Sequence, residues 1–141
     1  MSNHTLLNNL INDIYCRIGQ SKIHGVGVIA IRDIPKGVNP FRLTNDKCQN
    51  YNTKVIKKED LDKIHPSVRK MIRDFITEED GCYYLPQLGL NSLDVSFYMN
   101  HNKDNNIDVD YESKCDYYKF KTNRIIKKDE ELFINYKHYD V

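Results

Sequence analysis

The chain has 141 residues, with 21 Lys and Arg against 20 Asp and Glu and a formal net charge of +1. Such a length is a prior for one domain, and the balanced charge excludes the broad basic field on which non-specific nucleic-acid binding depends. No apolar run reaches membrane-spanning length, and the N-terminus "MSNHTLLNNLINDIYCR" lacks a signal peptide's basic start and long apolar stretch, so an intracellular protein is expected.

In chain order, Leu6, Leu7, Leu10, Ile11 and Ile14 recur at roughly helical spacing before the pattern turns strand-like. The stretch "KIHGVGVIAIRDIPKGVNPF", residues 22–41, predicts strand, turn and strand, with a Gly-x-Gly ahead of Val28 to Ile31. From Lys57 to Ile76 the residues Leu61, Ile64, Val68, Met71, Ile72, Phe75 and Ile76 share one helical face, with Pro66 acceptable near a helix start or break. This is the principal helix expected.

Beyond "TEEDG" the composition favours strands again: "CYYLP", "DVSFYM", "YYKFKTNRII" and, after the polar turn "KKDE", "ELFINY". An α+β domain, mainly β, with many short strands follows. Cys16, Cys48, Cys82 and Cys115 lie more than thirty residues apart, and no His or Cys pair has ligand spacing, so no metal is expected. Mixed-sign clusters such as "KVIKKEDLDK" read as solvated faces.

Three motifs remain. Gly25-Val26-Gly27 sits where glycines let a backbone approach a ligand, Asn100 and His101 open the run "NHNKDNN" that includes Asn106, and "EELFINY" ends in Tyr136. Singly, each is more simply an ordinary turn, a composition-biased loop or a core aromatic. Together and in this order they resemble the SET-domain family of protein-lysine methyltransferases, over about residues 14–42 and 93–137.

The resemblance implies a single domain across residues 1–141, with several small twisted sheets around a C-terminal pseudoknot and a variable insert at about 45–90 holding the principal helix. It implies S-adenosylmethionine as methyl donor, a lysine side chain as acceptor and a catalytic role for Tyr136. Gly25, Val26, Gly27, Asn100 and His101 would hold the cofactor. Tyr98, Tyr111 and Ile134, and more loosely Tyr117 and Tyr118, would line the lysine channel. A histone tail is the favoured acceptor, which would place the protein in the nucleus, with a non-histone protein or a binding-only module as alternatives.

The chain departs from the family pattern in places. "NKDNN" replaces the usual Ser-Cys-x-Pro-Asn, Asp129 stands where a turn glycine is common, and Ile134 occupies a position often filled by Phe or Tyr. Only "KHYDV" follows Tyr136, in place of a cysteine-rich zinc segment. The insert, this tail or a second copy in a homodimer would then close the channel.

Overall fold

The computed structural model describes residues 3–42, 54–110 and 119–139. The chain forms two compact units, Met1–Cys48 with Asp94–Val141, and Gln49–Leu93.

In the first unit, helix α1 (Asn3–Asn12) precedes a sheet whose strands come from distant parts of the chain. Strands β1 (Cys16–Gln20) and β2 (Val26–Ala30) pair antiparallel with Gly19 opposite Gly27. Strand β9 (Glu131–Ile134) adds antiparallel to β2, with Val28 opposite Leu132. On the other side of β9, the short strand β6 (Asn100–His101) runs parallel to it, placing Asn100 opposite Phe133 and His101 opposite Ile134. The sheet order is therefore β1-β2-β9-β6. A hairpin-like pair, β7 (Ile107–Asp110) and β8 (Lys119–Thr122), completes the unit.

Strand alternation sends Val28 and Ala30 of β2, Leu132 and Ile134 of β9, Ile107 of β7 and Phe120 of β8 into one core. Each large apolar side chain so buried contributes roughly 1.5–3 kcal/mol relative to exposure. Cys16 packs against this core, its thiol 3.8 Å from the carbonyl of Pro40.

Helix α1 forms where the leucine spacing predicts a helix but ends at Asn12. Its leucines are not core residues: Leu6, Leu7, Leu10 and Ile11 are 41–57% exposed. The buried contact is polar instead, with Asn9 donating through Nδ2 to the carbonyl of Arg42 at 3.1 Å. Arg32 satisfies the helix end, donating to the carbonyls of Ile11 (3.4 Å) and Asn12 (3.0 Å) while its guanidinium stacks 4.3 Å above the Tyr15 ring.

In the second unit, strands β3 (Lys54–Lys57), β4 (Glu78–Glu79) and β5 (Cys82–Leu85) form a sheet in the order β3-β5-β4. The helical segment expected from Lys57 to Ile76, with Pro66 near a start or break, is divided before that proline. A 3-10 helix covers Lys58–Lys63, Ile64 is extended, His65 is non-helical, and helix α2 spans Pro66–Phe75. Proline disfavours helical backbone in the residue before it but fits the first helical position, where its missing N–H is not needed. His65 caps α2 by accepting from the Ser67 N–H at 3.1 Å. Leu61, Ile72, Tyr83 and Leu85 form this unit's core, while Val68 is exposed.

The turn before β9 contains a strained residue. Asp129 has φ +73°, the left-handed region that the sequence comparison with a turn glycine implies. Its N–H donates to the Ala30 carbonyl at 2.8 Å, which ties the turn to the end of β2. Nearby, the Lys128 N–H donates to Asp33 at 2.8 Å and, with Lys127, holds that carboxyl below its usual range.

Two outcomes are expected. Substituting Asp129→Val adds a β-branched side chain at positive φ and should lower unfolding free energy by about 1–2 kcal/mol in urea titration, whereas Asp129→Gly should match or exceed the parent; equal stability of the valine variant would contradict the strain. Burial pushes the Cys16 thiol up to about 12 from its ordinary 9.0. Because the folded state holds that proton more tightly, Cys16 contributes stability below its ordinary pKa that is lost as pH rises toward the folded value. Cys16 should resist iodoacetamide at about pH 8 in the folded protein and react once unfolded, as peptide mass mapping would show.

Candidate active site

The sheet order brings the three sequence motifs together. Gly25 precedes β2 and Val26 opens it, Asn100 and His101 form β6, and Tyr136 follows β9, the strand between them. Direct hydrogen bonds close the arrangement. Asn100 Nδ2 donates to the carbonyls of Val26 (3.0 Å) and His24 (3.2 Å), 74 and 76 residues away. The Tyr136 N–H donates to His101 Nδ1 at 3.0 Å, and the two rings lie 5.2 Å apart.

The two glycines are needed for different reasons. Gly25 has φ +53°, and a Cβ there would meet nothing within 4 Å, so conformation rather than space selects glycine. Gly27 has ordinary φ, but a Cβ would lie 2.5 Å from Glu131 Oε2 and 3.1 Å from Asn100 Nδ2. Close packing selects glycine there.

The Tyr136 hydroxyl donates to the Met99 carbonyl at 2.8 Å, although the residue as a whole is 50% exposed. Partial burial raises its pKa, so the phenol keeps its proton. Backbone and side chain are thus both anchored, with the ring open to solvent.

The SET domain family model matches residues 25–137, which include all three motifs. The chain belongs to the SET-domain family. Solved structures of similar shape include a candidate histone methyltransferase from Plasmodium falciparum, 22% identical with a TM-score of 0.57, covering 89% of this chain and 95% of that one. Another is the Chaetomium thermophilum Polycomb Repressive Complex 2 in an autoinhibited conformation bound to S-adenosylmethionine, 23% identical with a TM-score of 0.56. There the match covers 87% of this chain and 15% of the other. No curated protein matches by sequence. With the family match, these neighbours show the SET fold, mixed α+β with several small sheets.

Within this SET domain the asparagine-rich run has definite duties. Asn106, 1% exposed, uses its side chain as a backbone substitute: Nδ2 donates to the Glu131 carbonyl at 2.9 Å and Oδ1 accepts from the Phe133 N–H at 2.8 Å. Asn102 Oδ1 accepts from the Asp104 N–H at 2.9 Å, and Asn105 Nδ2 donates to the Ile107 carbonyl at 2.8 Å. Asparagine turn chemistry stands where family members commonly use Cys and Pro.

The expected channel residues separate. Tyr98 is half-buried against the core, and Tyr111, Tyr117 and Tyr118 lie outside the described residues. Ile134 is 1% exposed and belongs to the core, because alternation turns Leu132 and Ile134 inward on β9. Two further residues had no role assigned from sequence. Glu131 Oε1 accepts from Ser21 Oγ at 2.7 Å, and its Oε2 accepts from Asn100 Nδ2 at 3.0 Å. The local signal for Ser21 was its position two and three residues before the N–H groups of Ile23 and His24, both of which donate to its Oγ.

Replacing Asn106 by Ala would leave the Phe133 N–H and Glu131 carbonyl buried without those partners, at about 1–3 kcal/mol for each group. Thermal unfolding should therefore shift down strongly for Asn106→Ala and only slightly for Lys103→Ala at an exposed position in the same run. Equal shifts would show that Asn106 does not brace β9.

Proposed function

We propose that this chain is an S-adenosylmethionine-dependent protein-lysine N-methyltransferase, with a histone tail as its leading acceptor and a non-histone protein as the second choice. The observation that carries the reading is the bonding of Asn100 to the Gly25-Val26-Gly27 segment and of His101 to Tyr136. We read Gln49–Leu93 as the insert within a single SET domain.

The residues present suit the cofactor. Asn100 commits Nδ2 to Val26, His24 and Glu131, while its Oδ1 has no partner among the described residues and remains an acceptor for an ammonium group. Gly25 leaves open space beside it. Gly25, Val26, Gly27, Asn100 and His101 would hold the cofactor, which when bound supplies a methyl group on a positively charged sulfur.

The chain's own contribution is alignment. Because the Tyr136 proton is given to the Met99 carbonyl, the phenolic oxygen keeps acceptor capacity for the lysine amine and for a polarised methyl group. The acceptor lysine must be neutral to attack, and partly desolvated aromatic surroundings at Tyr98 and Tyr136 favour that form. Among the described residues β6 is the last strand of its sheet, and an extended peptide adding there would lengthen that sheet. Among the described residues no helix is long and apolar enough to cross a membrane. A histone substrate would require access to the nucleus.

Core histones incubated with S-adenosylmethionine and the protein should gain mass in steps of one methyl group, and Tyr136→Phe should slow this by on the order of 10²-fold. The rate should rise with pH as the acceptor lysine deprotonates. The raised Tyr136 pKa keeps the phenol protonated, so no fall from its ionisation is expected below about pH 10. Cofactor binding without any histone mass gain would move the substrate to non-histone proteins; absence of cofactor binding would end the proposal.

A further inference from the structure

We propose that Glu131 and Ser21 are positioning residues that fix the polarity of the cofactor site, making Asn100 present an acceptor and thereby selecting a ligand that carries an ammonium group. This rests on S-adenosylmethionine binding as proposed above.

Hydrogen-bond bookkeeping at Ser21 sets the first requirement. Its Oγ accepts from the N–H groups of Ile23 at 3.0 Å and His24 at 3.1 Å, which occupies both lone pairs. The hydroxyl proton must go to an acceptor, and Glu131 Oε1 takes it at 2.7 Å. With the Ser21 N–H donating to the Gly25 carbonyl at 2.9 Å, this folds residues 21–25 into the loop that delivers Gly25.

Asn100 sets the second requirement. Its Nδ2 faces Glu131 Oε2, the Val26 carbonyl and the His24 carbonyl, which are all acceptors. Turning the amide over would point Oδ1 at a carboxylate and two carbonyls, so Nδ2 is held inward and Oδ1 outward. Position 131 must therefore accept twice, once from Ser21 and once from Asn100. An ionised carboxylate does this, whereas a glutamine amide has only one acceptor atom and would direct its NH₂ at one of two donors. Gly27 lets the carboxylate reach both, since any Cβ there would stand 2.5 Å from Oε2.

The test compares binding of S-adenosylhomocysteine with binding of its analogue lacking the α-amino group, by calorimetry on folded protein. The parent should prefer the amino ligand. Glu131→Gln should weaken the amino ligand by about tenfold, the scale of one hydrogen bond to a charged group, and change the deaminated ligand by less than about twofold. In an Asn100→Ala background the Glu131→Gln effect should vanish, because Glu131 acts through Asn100. Ser21→Ala, a milder change, should lose preference in the same direction and serves if Glu131→Gln does not fold.

Equal weakening of both ligands, or an undiminished Glu131→Gln effect without the Asn100 amide, would reduce Glu131 to a structural role and overturn the inference. A parent that binds the amino ligand while both variants keep its preference would overturn the inference alone. A parent that binds neither ligand would overturn the proposed function with it.

Discussion

Everything at the candidate site depends on strand β9 being paired on both of its edges. Glu131 and Leu132 pair antiparallel with β2 on one side, and Phe133 and Ile134 pair parallel with β6 on the other. Each neighbour thus holds two residues of β9, and two residues of pairing are a weak hold on register for the short β6. The loop after it supplies the rest: the Asn102 N–H donates to the Ile134 carbonyl, the Asn106 N–H to the Phe133 carbonyl, and the Asn106 side chain bonds β9 twice more. A buried amide that satisfies two strand groups does the work of a further ladder rung. Register is thereby fixed, and with it the distance from Asn100 to Tyr136.

That register explains why elements legible in the sequence did not by themselves reveal the site. Strands β2 and β9 show in their β-branched and aromatic residues, and the turn before β9 shows in the polar run "KKDE". Helix α2 shows in its apolar spacing and in Pro66, which stands at its first position; the spacing alone runs on through the proline, because periodicity carries no information about backbone allowed before it. Strand β3 did not show, since "KVIK" has too few apolar residues to outweigh its lysines until β5 pairs with it. In α1 the helical spacing of the leucines is real, but they stay exposed and the buried partner is Asn9.

The site itself was legible only by resemblance. Nothing local to Asn100 indicates Val26, and nothing local to Tyr136 indicates His101, because those bonds span 74 and 35 residues. Motif order located these residues without their contacts. Ser21 and Glu131 escaped for a related reason. A polar network is recognised by which donors and acceptors face one another, and residue identity alone leaves that pairing open. Ile134 shows the converse: its place two residues before Tyr136 suggests a channel wall, while alternation along β9 commits it to the core.

The division of labour between buried and open groups then follows from desolvation. Glu131 can sit beside a glycine and an amide because both of its oxygens have donors, so the cost of removing an ionised carboxylate from water is offset where it arises. Asn100 Oδ1, without a partner among the described residues, has no such compensation inside the protein and is left as the polar atom available to a ligand. Tyr136 stands between these cases, its proton spent on the Met99 carbonyl and its oxygen still able to accept. A site that saturates its donors internally and leaves acceptors outward is matched to a ligand that brings its own donors, as the ammonium group of the proposed cofactor would.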